Sequence, residues 1–241
     1  MRTSLSHPLL PLLLLLLPLL ATSLASGAEV EAELLIYRVG SSVEEAYLNR
    51  LLATPGFLRL DRGEQDSGYI LYDRRQGVVY SVDHEERSIL VIDPPPLNDE
   101  LAARAEAVEV RPVASESAPA VGGVRPQHWV LRRGGRQCRE AYVLPGLMPN
   151  AVAAYAEYLG VLARQQALAL PAIPAEVQDA CDNAVHLLAP DALLRKGLPL
   201  KVWDEQGYRE SLIDFRAEFQ VPEGDFTLPA AYTRVPMGSG F

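Results

Sequence analysis

Asp179, Asp182 and His186 are the residues whose types and spacing could support catalysis. They are three and four positions apart in a segment of helical periodicity, so their side chains would share one helix face. Two carboxylates beside an imidazole could bind a metal ion or transfer a proton. A solvated helix face has the same pattern, and we favour this interpretation because no nucleophile elbow or phosphate-binding loop accompanies it. We therefore expect a protein that is not an enzyme, with no metal and no cofactor.

The only two cysteines of the chain are Cys138, in a predicted strand, and Cys181, in the apolar stripe of a predicted helix. A redox pair usually has Cys-x-x-Cys spacing, and a metal site would need further ligands. Two cysteines in an exported chain most often form one disulfide. We expect a bond between Cys138 and Cys181 that joins helix to sheet and stabilises the fold by about 4 kcal/mol.

The N-terminus has the order of a secretory signal peptide. Arg2 precedes a leucine-dominated run at 9–20, and small residues follow at 25–28. This predicts that residues 1–28 are a signal peptide removed after Ala28, with Ala25 as the alternative cleavage position. No Asn-x-Ser/Thr site is present, which favours a bacterial periplasm as the location. No second stretch is apolar enough to span a membrane, so no transmembrane anchor is expected after cleavage.

Length and charge limit the number of domains and the kinds of partner that this protein could have. The chain has 241 residues, is 49% hydrophobic and carries a formal net charge of -9. The length predicts one domain, at 29–232, followed by a flexible tail at 233–241. A nucleic acid partner is not expected, because binding to phosphate requires clustered basic residues.

Short strands and turns must position any site in the first half of the chain. The clearest strands are at 69–72, 78–82 and 89–92, joined by turns at 74–77 and 83–87 as a three-stranded meander. Its strands carry apolar residues on both faces. Either a second layer, such as a short helix at 97–107, covers the outer face, or an apolar concavity is available to a ligand or partner.

After residue 144, the spacing of apolar residues changes from a period of two, typical of strands, to a period of 3.6, typical of helices. Asn150 could cap a helix that runs toward residue 170, and Pro174 could start a second one. Strands return after Pro190, where residues 213, 215, 217 and 219 alternate with charged positions, which predicts one buried face. The order strands, helices, strands predicts an α+β fold, in which helices cover one face of an antiparallel sheet.

Several short motifs resemble the LolA-like superfamily of periplasmic proteins, which are related to lipoprotein carriers. They are the segment Val-Val-Tyr-Ser-Val-Asp-His-Glu at 78–85, the Ile-Asp-Pro that ends the meander, and Cys138 before a helical insert. Gly-Leu-Pro at 197–199 and the ending formed by Phe226, Pro229 and Tyr232 complete the likeness, which is greatest to an uncharacterised branch. The resemblance implies a half-open β-barrel, a curved antiparallel sheet with helices covering or plugging its concave face.

Together, the two-sided apolar meander and the resemblance imply a non-enzymatic periplasmic protein that binds a lipid or a lipidated segment. The expected partners are a lipid, a lipoprotein or an envelope protein. An interaction or envelope regulatory module, with a cavity filled by its own side chains, is the alternative. The sheet positions expected near the cavity, on a face that could be swapped, are Tyr69, Leu71, Val78, Tyr80, Ile89, Val91, Ile213 and Phe215.

Overall fold

The computed structural model describes residues 28–40, 45–63, 68–96, 105, 107–114 and 119–238. Within these residues, twelve strands form one sheet. The strands are β1 (Glu29–Val39), β2 (Tyr47–Ala53), β3 (Phe57–Asp61), β4 (Tyr69–Asp73), β5 (Val78–Asp83), β6 (Ser88–Ile92), β7 (Val108–Val113), β8 (Gln127–Arg133), β9 (Arg136–Leu144), β10 (Leu198–Trp203), β11 (Arg209–Pro222) and β12 (Thr233–Pro236).

The strands are in the order β12-β6-β5-β4-β3-β2-β1-β11-β10-β9-β8-β7, so the first strand, β1, lies near the centre of the sheet, where it pairs with the penultimate strand, β11. Neighbouring strands are antiparallel except β12, which is parallel to β6. The sheet does not close, because β12 and β7 remain its two edges. The predicted α+β fold with an antiparallel sheet and covering helices is confirmed at this level.

The meander β4–β5–β6 confirms the strands expected from the sequence. Its turns are stabilised by the aspartates that end β4 and β5. The Asp73 carboxylate accepts hydrogen bonds from the backbone N–H groups of Arg75 and Gln76. The Asp83 carboxylate accepts one from Glu86 in the next turn. In these turns, nearby side chains accept hydrogen bonds from backbone N–H groups. This explains why this part of the fold could be predicted from nearby residues.

Helix α1 (Pro149–Ala169) lies in the insert between β9 and β10. Met148, not the expected Asn150, is its N-cap residue, in the left-handed conformation with φ 52° and ψ 56°. Proline at the first helical position has no N–H to satisfy. The N–H of Ala151 donates to the Glu33 carboxylate of β1 at 2.7 Å. A residue 118 positions away therefore caps this helix.

The rest of the insert is less regular than the sequence pattern predicts. Helix α2 (Ala180–Asp182) continues as a π-helix at Asn183–Leu188, and short 3₁₀ turns flank it. It starts six residues after Pro174, because Asp179 is extended and accepts bonds from the N–H groups of Cys181 and Asp182. The Cys138–Cys181 disulfide is present, as predicted, and ties α2 to β9.

Both faces of the sheet are buried. One face, here called the helix face, packs Leu35, Leu51, Leu58 and Val79 beneath α1. The opposite face, here called the C-terminal face, carries a second apolar cluster, which is covered by the chain from Phe226 to Tyr232. The two clusters have these residues at their centres: Leu35, Tyr37, Leu51, Leu58, Tyr72 and Val79 on the helix face, and Leu34, Leu52, Tyr69, Leu71, Tyr80 and Ile89 on the other.

Two predicted segments fall mainly outside the described residues, namely the signal peptide at 1–28 and the short helix at 97–107. We expected a flexible tail from residue 233, whereas Thr233–Pro236 form the edge strand β12 beside β6. The backbone N–H groups of Thr233 and Met237 donate to the carbonyl groups of Arg87 and Val91. Among the helices of the described chain, none is long and apolar enough to cross a membrane.

Candidate functional site

Helix α1 divides the space above the helix face into separate cavities. Its fully buried positions are small or β-branched: Ala151, Ala154 and Val161. Its larger side chains Tyr155 and Tyr158 pack against the sheet and stack with ring centroids 6.1 Å apart. Small residues fill little space on the sheet side of a helix, so gaps remain along both of its flanks.

The first gap, called here the Glu210 cavity, has a volume of about 130 Å³. It lies between α1, the second part of the insert and strands β1, β8, β9, β10 and β11. Most of its wall is apolar, and its apolar lining includes Leu131, Leu159, Val185, Leu193, Leu194 and Val202. An enclosed apolar wall with a few polar groups is typical of a small-molecule site.

The polar part of the Glu210 cavity includes Glu210, Tyr208 and Arg139, together with His186 and two further tyrosines. The Tyr208 hydroxyl donates to a Glu210 carboxylate oxygen at 2.9 Å. The guanidinium carbon of Arg139 lies 4.5 Å from the centre of the Tyr208 ring. Burial raises the pKa of Glu210, and the hydrogen bond from Tyr208 and the charge of Arg139 offset only part of that effect. A carboxyl group with a raised pKa beside a cavity is a functional-site candidate.

Three tyrosine hydroxyl groups surround this carboxyl group and keep their protons at neutral pH. Burial, followed by the charge of Glu210, raises the pKa of Tyr37, Tyr155 and Tyr208 above the usual range of a phenol. The Tyr37 hydroxyl donates to the Pro199 carbonyl at 2.9 Å. The protonated phenols can therefore serve only as neutral hydrogen-bond donors and acceptors.

The second gap, called here the Leu60 cavity, lies on the opposite flank of α1 and has a volume of about 530 Å³. Strands β2 to β5 supply its floor, including Leu60, Asp61 and Ile70. Tyr155 and Leu159 of α1 line both this cavity and the Glu210 cavity. The same stretch of helix therefore separates the two cavities, and moving it would join them.

A third cavity, of about 500 Å³, lies between the end of α1 and α2 and shares His186 with the Glu210 cavity. Partial burial, and then the charge of Arg139, lower the pKa of His186. Asp179 is committed to capping α2 and to an ion pair with Arg136 at 2.8 Å. Within the described part of the chain, no cluster of three histidine, cysteine or acidic residues could hold a metal.

The structure places six of the eight expected cavity residues on the C-terminal face, where Leu71 and Tyr80 line a cavity of about 390 Å³, and Tyr69 also borders the second cavity beside α1. Tyr69 and Leu71 pack there beneath the C-terminal chain, and the Tyr69 hydroxyl donates to the Thr227 carbonyl at 3.1 Å. The alternating partners of these residues, such as Ile70 and Val79, lie on the helix face instead. The six residues of this group are Tyr69, Leu71, Val78, Tyr80, Ile89 and Val91.

Ile213 and Phe215 are not on one face with those six. Phe215 packs with the helix-face cluster, and Ile213 is 45% exposed. A register shift explains the difference, because Tyr37 pairs with Leu212 whereas the preceding Ile36 pairs with Asp214. The extra residue is Ile213, and such a bulge interrupts the alternation of faces along a strand.

Sequence reasoning missed Glu210, Tyr208, Arg139 and Tyr155 as candidate site residues. Glu210 and Leu212 are two positions apart and share a face before the bulge at Ile213. An acidic residue on the same side as a buried leucine was the available signal. We missed the signal because we assumed that side chains alternate between the two faces along the whole strand. The bulge interrupts this alternation, and no glycine marks its position in the sequence.

Comparison with protein-family models and with curated proteins gives no match. Among solved structures, the chain is similar to PNGF-II, in a C2 and in a P21 space group, with TM-scores of 0.40 and 0.41 and 9% sequence identity in both cases. The alignments cover 86% of this chain but 31% and 32% of the PNGF-II chains. This chain thus spans about a third of the length of those structures.

Proposed function

We propose that the protein binds the apolar part of an amphipathic ligand, a lipid or a lipidated segment, between α1 and the helix face of the sheet. One observation carries the proposal: Tyr155 and Leu159 separate two cavities, on opposite flanks of the helix. A displacement of α1 would merge the two spaces over a floor that has both apolar and polar residues. The proposal includes no catalytic step.

The polar contacts that keep α1 on the sheet are few. Glu33 accepts from the N-terminal turn of the helix, and Arg74 forms a bidentate pair with Glu157 at 2.7 and 2.8 Å. The Glu157 side chain is 40% exposed, so water weakens this pair. A cover of this kind can move at a lower cost in free energy than a strand of the sheet.

The proposal extends to the overall shape and location of the protein. We propose that the open sheet curves as a half-open barrel around α1, in the manner of LolA-like proteins, and that the protein is periplasmic. The Cys138–Cys181 disulfide supports an oxidising compartment, because structural disulfides persist there and are rare in the cytosol.

A second candidate function, a protein-interaction or envelope regulatory module, is favoured by the size of the Glu210 cavity. Its volume of about 130 Å³ is below the roughly 300–1,000 Å³ that is typical of ligand sites. In that case the side chains of α1 are the permanent filling of the helix face. The two candidates differ in whether α1 gives way to an apolar ligand.

The test places a bulky side chain in the space beneath α1 and, as a control, on the C-terminal face, and compares the effects on ligand binding. Leu159→Trp adds an indole where the two cavities meet, and Leu228→Trp makes the same change on the C-terminal face, beside a different cavity. The purified proteins are titrated with the neutral fluorescent probe N-phenyl-1-naphthylamine. Native mass spectrometry of protein purified from the periplasm reports any lipid already bound.

We expect the Leu159→Trp protein to bind the probe at least tenfold more weakly than the unmodified protein, and the Leu228→Trp protein to bind it equally well. Equal loss in both variants, or no binding of the probe or any lipid by the unmodified protein, would overturn the proposal in favour of the interaction module. Circular dichroism of both variants verifies that each is folded.

A further inference from the structure

We propose that the Glu210 cavity recognises the polar end of the ligand and selects a neutral group with both a hydrogen-bond donor and an acceptor, such as a primary amide. This inference rests on the proposed function, since the apolar part of the same ligand would lie beneath α1. Among the polar side chains that line the cavity are an acceptor, Glu210, and a donor, Arg139, which the following contacts define.

Glu210 supplies the acceptor. Glu210 is 8% exposed. Among the described residues, its carboxyl group accepts one side-chain hydrogen bond, which comes from Tyr208. A carboxyl group has about four acceptor positions on its two oxygens, so capacity remains for a donor from the ligand. A buried carboxyl group with one protein partner gains most from such a donor, because water does not compensate for a missing bond there.

Arg139 supplies the donor. Its Nε is buried and has no hydrogen-bond partner among the described residues. Asp204 pairs with the Arg139 guanidinium through Nη2, at 3.5 Å from a carboxylate oxygen. This pair does not involve Nε. Orphaned N–H groups of this kind are rare in proteins and often indicate a partner that the chain itself does not supply. Arg139 lines the cavity, so an acceptor oxygen on the ligand would bind its guanidinium.

The acceptor and the donor line the same cavity of about 130 Å³, and both contact Tyr208. Glu210 bonds to the Tyr208 hydroxyl, and the Arg139 guanidinium lies over the Tyr208 ring. Ionic head groups fit less well for reasons of charge. A carboxylate would be attracted by Arg139 but repelled by Glu210, and an ammonium would be attracted by Glu210 but repelled by Arg139, so each ionic head group meets one like charge in a poorly hydrated site. A neutral donor–acceptor group avoids both repulsions.

The test uses four probes with the same twelve-carbon chain and different polar ends. Dodecanamide has a donor and an acceptor, methyl dodecanoate has only an acceptor, dodecylammonium has only donors, and dodecanoate has only acceptors. Each displaces N-phenyl-1-naphthylamine from the purified protein. We expect dodecanamide to bind at least tenfold more tightly than the other three.

Two substitutions of Glu210 distinguish recognition from packing. Glu210→Met keeps the length of the side chain but removes both oxygens, and it should reduce the preference for the amide over the methyl ester to less than threefold. Glu210→Gln keeps an acceptor oxygen and should retain the preference. Glu218→Met, at an exposed position of the same strand, is the matched control and should leave all four affinities unchanged.

Each result has a definite meaning. Similar affinities for all four probes, tightest binding of an ionic probe, or equal losses for all probes in Glu210→Met would overturn this inference and leave the proposed function intact. Absence of binding by every probe would overturn both. Retention of the amide preference in Glu210→Gln together with its loss in Glu210→Met supports recognition through the carboxyl oxygen.

Discussion

The two faces of the sheet are similar in sequence but are covered in different ways. On the helix face, α1 packs small residues such as Ala151 and Ala154 against the sheet, and cavities remain on both of its flanks. On the C-terminal face, the chain after β11 is hydrogen-bonded to the sheet, leaves a cavity of about 390 Å³ beside Phe226 and Leu228, and ends in the paired strand β12. Apolar residues on both faces of a meander therefore do not show which face could open.

Polar contacts account for the tighter cover of the C-terminal face. The Arg59 guanidinium donates to the Asp225 carbonyl at 2.8 Å, and the Tyr69 hydroxyl donates to the Thr227 carbonyl at 3.1 Å. His84 and the Tyr232 hydroxyl are hydrogen-bonded at 2.9 Å. These bonds lie along the whole cover, whereas α1 is bonded at its first turn and at Glu157. We therefore expect the helix face to respond first when the fold is weakened.

The largest predicted effect comes from replacing both cysteines by alanine. The disulfide closes a loop of 43 residues that contains all of α1, so chain-entropy arguments give about 4 kcal/mol lost from the free energy of unfolding. Urea denaturation measures the loss, and hydrogen exchange should show faster exchange in α1 and α2 than in β12. Equal increases in exchange on both faces would contradict the comparison.

Asp61→Asn should have the next largest effect, and it acts on the C-terminal face. The Asp61 side chain is 2% exposed and accepts from Arg50 and Arg59 at 2.7 Å each. Arg59 also holds the Asp225 carbonyl, so the loss of its ion pair should loosen the C-terminal cover. We expect a loss of about 2–3 kcal/mol, less than for a fully buried pair because Arg50 is partly hydrated. Urea denaturation is the measurement.

The pH dependence of stability distinguishes this effect from a packing defect. Burial, the largest single influence, raises the pKa of Asp61, but hydrogen bonds from Arg50 and Arg59 outweigh it and lower the net pKa. A pKa lower in the folded than in the unfolded chain contributes stability above the unfolded value, about 3.9, and this stability is lost as pH falls below it. Asp61→Asn should flatten the decline below pH 4. An unchanged decline would show that other carboxyl groups cause it.

The smallest predicted effect is that of Glu33→Ala, which removes the acceptor for the Ala151 N–H at the start of α1. Loss of a helix cap costs about 0.5–2 kcal/mol. The free energy of unfolding should fall by about 1 kcal/mol, and N-phenyl-1-naphthylamine should bind faster in stopped-flow experiments, because α1 leaves the sheet more readily. Glu31→Ala, at an exposed position of the same strand, is the control. Slower binding, or equal acceleration in the control, would contradict a movable helix.

Local sequence was sufficient where a structure depends on nearby residues. The meander β4–β6 was predictable because Asp73 and Asp83 satisfy the turns that follow them. Helix α1 was predictable from its apolar period, although its cap was not, since Glu33 reaches it from the other end of the domain. The direction of the Ile213 side chain could not be predicted from the sequence for a related reason. The bulge depends on the register between β1 and β11, which are far apart in sequence.

By itself, the amino-acid sequence determined the disulfide, because two cysteines allow one intramolecular pairing, and it determined the alternation of strands and helices through local periodicity. Only the tertiary structure decided which face lies beneath α1 and that Glu210, Tyr208 and Arg139 meet in one cavity. The physical reason is that side-chain period fixes which residues share a face, whereas the identity of the cover depends on how distant segments pack. A carboxyl group becomes a candidate site through that packing, which removes water and brings an arginine and a tyrosine beside it.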